Sequence, residues 1–277
     1  KDESLTGMYY DYAMAAPFMA GVEEKTAAGE NFDLLILGMG TGTYGSQCAR
    51  YYPAMNVTGV EIDGKITDLA RRYFALPESV PVSTYDGRAW LNAVDGRYDV
   101  IMVDVYQDIT IPFQMSSAEF FTLVRDHLKE DGVMVVNMNM RGQQEGNINQ
   151  YLSDTIASVF SEVYTVDVLS NTNRELFASN NPDLLLRMRE NTRCCGDPAL
   201  RNMLERVDRG LVQYEAGDYR MTDDRAPVEL LGMDVIDGLI QEELAYYKRI
   251  LREEGIRTDV LLPRITPEKR EEWVEKR

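Results

Sequence analysis

One stretch constrains the fold of this chain more than any other: LLILGMGTGTYGSQCARYYPAMNVTGVEID, residues 34–63. Leu34 to Leu37 are apolar on both faces, as a central strand of a parallel sheet must be when helices cover it from both sides. Gly38, Gly40 and Gly42 then allow a tight turn into a helix and leave backbone amides free beside a ligand. Val57 to Val60 form a second buried strand. Glu61 and Ile62 end it about 20 residues past the glycines, where an acid can accept hydrogen bonds from ribose hydroxyls. Glycine turns also serve ordinary strand-to-helix packing, but a carboxylate in this register favours a nucleoside-containing ligand.

The 277 residues are enough for one large α/β domain with appendages and an ample core. A formal net charge of −17 opposes binding to nucleic acid or an anionic membrane surface, and it attracts cationic small molecules. For most of the surface carboxylates the plain role is solubility. Cys48, Cys194 and Cys195 form neither a disulfide framework nor a zinc site, which points to a reducing, cytoplasmic setting and to no metal. His127 lies near a helix end in FFTLVRDHLKEDG, where solvation or capping is its expected role, so the chemistry must run without histidine. No apolar run approaches the length of about 18 residues that a membrane span requires. The chain starts at Lys1, as an excised piece or a processed chain would.

Residues 5–20, LTGMYYDYAMAAPFMA, have helical apolar spacing and are followed by VEEKTAAGENFD, which reads as a polar linker. Tyr9, Tyr10 and Tyr12 are dense for a packing helix, and one of them is a candidate to face a bound amine. GKITDLARRYFALPES is an amphipathic helix, and VPVSTYDG is a strand running into Asp86 and Gly87. That Asp-Gly is equally well explained as a helix cap. RYDVIMVDVYQDITIPF supplies a strand ending at Asp104, then a loop with Tyr106, Asp108 and a proline that looks shaped to fold over a cleft.

SSAEFFTLVRDHLKEDG carries a serine cap and a glycine stop before the strand VMVVNMN, and 147–161 give a further helix. The alternation predicts an α/β fold with a doubly wound, mostly parallel sheet, with VYTVDVLS and RELFASNN as last strands at its edge. Surface helices occupy 181–217, an acidic pair, Asp223 and Asp224, sits in a loop, and 234–255 form one amphipathic helix. The tail TPEKREEWVEKR reads as a solvated end. The expected organisation is an N-terminal substrate-side segment, 1–30, a Rossmann-like domain, 31–190, and a helical C-terminal extension, 191–277.

Ligands of such sheets lie beyond the carboxyl ends of the strands, so Glu61, Asp86, Asp104 and Asp108 should converge on one rim. With no histidine or reactive cysteine beside them, most hydrolase schemes are excluded. Carboxylates can hold ribose, an adenine amino group or an ammonium, or accept a proton from an attacking amine. A sulfonium cofactor suits acidic surroundings, and alkyl transfer from it needs mainly alignment and a base. Hydride transfer is the competitor on this sheet, but an acid after the third strand and another after the fourth fit an adenine-and-amine site better than a nicotinamide site.

These residues resemble the spermidine synthase family of polyamine aminopropyltransferases, which have a Rossmann-like fold of the S-adenosylmethionine-dependent methyltransferase type. LLILGMGTGT matches the family's glycine turn, GVEID its ribose-binding strand end, YDGRAWL its adenine-binding Asp-Gly, and YDVIMVDVYQDITIPF its catalytic strand and loop. The resemblance implies that Gly38, Gly40, Thr41 and Gly42 form the cofactor turn. Glu61 with Ile62 would hold the ribose, Asp86 with Gly87 the adenine, and Asp104 would deprotonate the amine. Tyr10, Tyr106 and Asp108 would line the substrate side. The cofactor would be decarboxylated S-adenosylmethionine or S-adenosylmethionine, the substrate a polyamine such as putrescine, and a homodimer is a candidate assembly. Alternatives are a methyltransferase with another acceptor and a non-catalytic nucleoside-sensing domain. LTGMYYDYAMAAP, IPFQMSSAEFF and MTDDRAPVELL resemble the subgroup in which this domain follows transmembrane helices, so the chain would be the cytoplasmic part of a membrane protein. Two positions depart from the family: Thr41 stands where an aspartate is usual, and Gln107 stands where the loop's second aspartate is usual, with Asp108 one residue later.

Overall fold

The computed structural model describes residues 5–106, 111–138, 145–169 and 172–253. Three short helices, α1 (Tyr9–Ala13), α2 (Ala15–Met19) and α3 (Val22–Ala27), precede an alternating series. It runs β1 (Asp33–Leu37), α4 (Thr43–Tyr51), β2 (Asn56–Glu61), α5 (Gly64–Phe74), β3 (Val82–Thr84), α6 (Gly87–Ala93) and β4 (Tyr98–Val103). A 3-10 turn, Phe113–Met115, leads to α7 (Ala118–Asp126), β5 (Leu128–Met138), α8 (Ile148–Ala157), β6 (Glu162–Asp167) and β7 (Arg174–Ser179). The chain continues through α9 (Leu184–Cys194), α10 (Pro198–Gly210), β8 (Val212–Gln213) and α11 (Val228–Glu253).

Among the described residues the strands form one sheet of order β3-β2-β1-β4-β5-β7-β6-β8. The first five are parallel, and β7, β6 and β8 pair antiparallel. The chain moves outward from β1 to β3, then returns to the other side of β1 at β4. This reversal opens a crevice above the adjacent ends of β1 and β4. Leu34, Leu35 and Leu37 are fully buried, consistent with the central place that their apolar run predicts.

RELFASNN does not lie at an edge: β7 sits between β5 and β6, with Leu176, Phe177 and Ala178 fully buried. Its direction follows from its connection. Only residues 168–173 separate β6 from β7, and Val168 N donates to Asn173 O at 3.0 Å. A parallel crossover needs about a dozen residues or more, so the chain must turn straight back.

The expected polar linker is partly helical. α3 begins after Gly21, and its first free amides, Glu23 N and Glu24 N, donate to Asn191 Oδ1 of α9 at 2.9 and 3.1 Å. Those amides have no partner within the helix, so a distant side chain completes a terminus that the local sequence leaves uncapped. Lys25 of α3 reaches Asp99 at 2.5 Å, and Asp99 also meets Lys129 at 2.7 Å. Every residue from Ala13 to Ala20 is buried, so the segment is apolar all round because it is enclosed, not because it lines one face.

The chain divides into two units, residues 1–232 and 233–277. The first contains the whole sheet and the N-terminal helices. Within the described part of the second, 233–253 continue α11, with Met233, Ile240 and Leu244 exposed. Among the described residues no helix is long and apolar enough to cross a membrane. The tail TPEKREEWVEKR lies outside the described residues.

Candidate functional site

A cleft of about 760 Å³ lies at the carboxyl ends of β1, β2 and β4. One wall is the glycine turn. Gly38, Gly40 and Gly42 all have positive φ, between 53° and 82°. At Gly38 a side chain would collide with the carbonyl of Asp104, so glycine is required for β1 and β4 to approach so closely. Gly38 N and Met39 N donate to Val60 O at 2.9 and 3.1 Å, which folds the turn back over the end of β2. Gly42 is the residue before α4 and does not line the cleft.

Glu61 is 6% exposed, and each of its oxygens takes one backbone amide: Gly40 N at 2.8 Å and Asp63 N at 3.1 Å. A carboxylate oxygen has two lone pairs, so both retain one for a ligand. Ile62 and Ile66 continue this wall, and Tyr85, Asp86 and Gly87 face it. Asp86 Oδ1 accepts from Ala89 N at 2.8 Å and so caps α6. The helix-cap and cleft-lining readings of this Asp-Gly therefore both hold.

Asp104 lies at the base. Its amide donates to Leu37 O at 2.9 Å, extending the β1–β4 pairing by one residue. Its Oδ1 accepts from Asn137 Nδ2 and its Oδ2 from Tyr9 Oη, both at 2.9 Å. Burial pushes its carboxyl above the ordinary value, and those two donors partly restore the charged form. Tyr9 is pushed far up in turn, chiefly by burial and then by the neighbouring Asp104, so it stays a hydrogen-bond donor. Tyr106 Oη donates to the carbonyl of Asn137 at 2.6 Å.

Gly38, Gly40, Thr41, Glu61, Ile62, Asp86, Gly87, Asp104, Tyr106 and Tyr10 all line this one cleft. Asp108, and Gln107 beside it, lie outside the described residues. Of the two tyrosines, Tyr9 bonds the base acid, whereas the Tyr10 hydroxyl accepts from Thr6 Oγ1 at 3.0 Å. Adjacent positions on a helix point about 100° apart, and only the approach of α1 to β4 chooses between them.

Sequence reasoning did not single out Asn137, Asn173 or Glu175. Asn137 is the first polar side chain in VMVVNMN, a detectable strand-end position. Glu175 is a charge inside the apolar run RELFAS; it is fully buried, and neither of its oxygens has a hydrogen-bond partner. Burial, then the nearby Asp104 charge, pushes its carboxyl well up. Asn173 carries no local signal.

His127 is distant from this chemistry: its ring nitrogens lie 2.9 Å from the carbonyls of Leu123 and Val94. Asp223 of the acidic pair meets Arg88 at 2.6 Å. Its carboxyl is held below the ordinary range by Arg88, with Ser117 as a second donor, against the opposing effect of desolvation. Among the described residues no group of three or more His, Cys, Asp or Glu is placed to hold a metal ion.

A nucleoside-sized cleft with an acid at the glycine turn and a buried acid at its base suits a ligand with a ribose and a cationic partner. The family model described as "Spermine/spermidine synthase domain" matches residues 18–173. A probable polyamine aminopropyl transferase of Bifidobacterium longum is 53% identical over 272 residues, covering 92% of this chain. The chain spans 59% of the length of that curated relative. Among solved structures, human methyltransferase-like protein 13 in complex with SAH has a TM-score of 0.58 at 21% identity, covering 76% of this chain and 96% of that one. A spermidine synthase in complex with the transition state analogue AdoDATO has a TM-score of 0.57 at 21% identity, covering 70% and 68%. At these identities the structures establish the fold alone.

Proposed function

Because the chain belongs to the spermine/spermidine synthase family, we propose that it is an aminopropyltransferase that moves an aminopropyl group from decarboxylated S-adenosylmethionine to a polyamine such as putrescine. The observation that carries this reading is Asp104: a buried carboxylate at the base of the cleft, held by Tyr9 and Asn137, with raised proton affinity. That is the setting a general base for an ammonium substrate needs, since such a base works best when its pKa approaches the working pH.

In this reading Glu61 accepts from the ribose hydroxyls through its remaining lone pairs, and Asp86 and the Tyr85–Gly87 backbone face the adenine. Ile62 and Ile66 supply apolar contact for the base. The sulfonium donor supplies an alkyl carbon whose leaving group is a neutral thioether. The C–N bond forms as the C–S bond breaks, with the C–S electron pair staying on sulfur. Asp104 takes one proton from the incoming ammonium so that the nitrogen lone pair is free to attack. Tyr10 and Tyr106 line the same end and offer ring faces to a cation. Thr41 at the turn bears on whether the donor is decarboxylated, which is why both forms belong in the test.

Incubation with decarboxylated S-adenosylmethionine and putrescine, with mass detection of spermidine, tests the reaction. Calorimetric titration with methylthioadenosine, S-adenosylmethionine and decarboxylated S-adenosylmethionine tests the nucleoside site separately. Spermidine formation that falls at least about 100-fold in Asp104→Asn supports the assignment. A methylated product from S-adenosylmethionine would replace it with methyl transfer, and binding of none of the three nucleosides would remove it.

A further inference from the structure

Asp104 does not receive the amide of Asn137 in isolation. Asn137 sits on β5 and is 3% exposed, and its other face, Oδ1, accepts from Asn173 Nδ2 at 2.7 Å. Asn173 is 7% exposed and precedes β7, so the chain Asn173–Asn137–Asp104 joins three strands through two amides. A primary amide has two unlike ends. With its NH2 toward Asp104 it supports the ionised carboxylate, which can only accept. With its carbonyl toward Asp104 it supports the protonated acid, which can donate. In the observed arrangement the NH2 of Asn173 occupies Oδ1 of Asn137. Turning Asn137 over would set NH2 against NH2 on one side and carbonyl against carboxylate on the other.

We propose that Asn173 is a positioning residue for the reaction: through Asn137 it fixes which end of an amide meets Asp104, and so keeps that carboxylate an acceptor ready for the amine proton. The inference rests on the aminopropyl-transfer reading of the cleft. It goes beyond that reading by assigning the state of the base to a residue that does not bond to it. The other titratable groups that face Asp104 are Tyr9 from α1 and Glu175 from β7. β5 contributes the uncharged Asn137, β1 the backbone of Gly38, and the loop after β4 the Tyr106 hydroxyl, which bonds the Asn137 carbonyl. Tyr9 is held in its neutral, protonated form by burial and by Asp104, so Glu175 is the neighbour whose titration must be separated.

The test is the pH dependence of kcat for wild type, Asn173→Ala, Asn137→Ala and the double variant, each also made with Glu175→Gln. Removing Asn173 frees Asn137 to turn. The acidic limb then moves up by about one pH unit, kcat drops about tenfold on that limb and recovers at higher pH, and the KM for the sulfonium donor is unchanged. In the Asn137→Ala background the Asn173 substitution moves nothing further, and in the Glu175→Gln background its shift persists. If Asn173→Ala melts below assay temperature, Asn173→Asp keeps the volume and moves the limb in the same direction. An unshifted limb in a folded variant, or an equal shift with and without Asn137, overturns the inference. Wild type with no turnover overturns the reading beneath it instead.

Discussion

The hydroxyl of Tyr9 donates to Oδ2 of Asp104 at 2.9 Å, joining the first helix of the chain to the end of the fourth strand. The bond spans 95 residues, and it places a neutral donor on the acid that the proposed chemistry uses as a base. The N-terminal segment is thus part of the cleft and not merely a cover for the sheet.

Removing that donor should make Asp104 harder to ionise. A hydrogen bond to a charged group contributes about 1.5–3 kcal/mol, so Tyr9→Phe should raise the acidic limb of the kcat profile by about one to two units. Turnover on that acidic limb should fall at least roughly tenfold and recover at higher pH. A profile superimposable on that of wild type would show that Tyr9 serves packing only.

Glu175 makes a prediction about stability. Its folded-state pKa is raised above the unfolded value, because burial without a donor disfavours the charge. The cost is therefore absent below the unfolded value of about 4.3 and grows as pH rises from there toward the folded value. Glu175→Gln should be more stable than wild type at pH 7, by about 1 kcal/mol or more, and equal to it near pH 4. Urea denaturation at the two pH values measures the difference, and a gain of the same size at both would refute the account.

Asp99 is fully buried and holds Lys25, Lys129 and the amide of Asp33 at 2.5, 2.7 and 2.7 Å. Its loss takes the carboxylate from the largely buried Lys25 ammonium, whereas Lys129 keeps Asp33 at 2.8 Å. Asp99→Ala should cost about 3 kcal/mol, seen as a lower urea midpoint at unchanged slope. The cleft is at the opposite end of β4, so nucleoside affinity in the folded variant should stay as in wild type.

Gly38 sets the separation of β1 from β4. Gly38→Ala meets two obstacles, a φ of +82° and a methyl group aimed at the carbonyl of Asp104. The expected cost is about 1–3 kcal/mol, with nucleoside affinity lost together with turnover. Calorimetry on the folded variant that finds unchanged affinity would show that the turn can relax without disturbing its amides.

The parts of the site that were legible in the sequence are those fixed by local periodicity. Buried apolar runs locate strands, glycines mark the turn, and the residue at the end of each run falls on the rim, so the places of Glu61, Asp86 and Asp104 follow from the sequence. What was not legible depends on pairings between distant segments. RELFASNN reads as a plain edge strand, yet it is interior because a six-residue connection forces it back between β5 and β6. VEEKTAAGENFD reads as a linker because the cap of α3 is supplied by Asn191, on α9.

By itself, then, the sequence determined the parallel strands β1 to β5 and the rim positions of Glu61, Asp86 and Asp104, since each follows from the spacing of side chains within a few residues. Only the tertiary structure decided that Tyr9 rather than Tyr10 meets Asp104, that Asn173 orients Asn137, and that Glu175 lies unbonded behind them. Such contacts depend on the angle and register at which separate elements pack. No pattern within one element encodes those quantities, because its energy depends on atoms that the rest of the chain must bring to it.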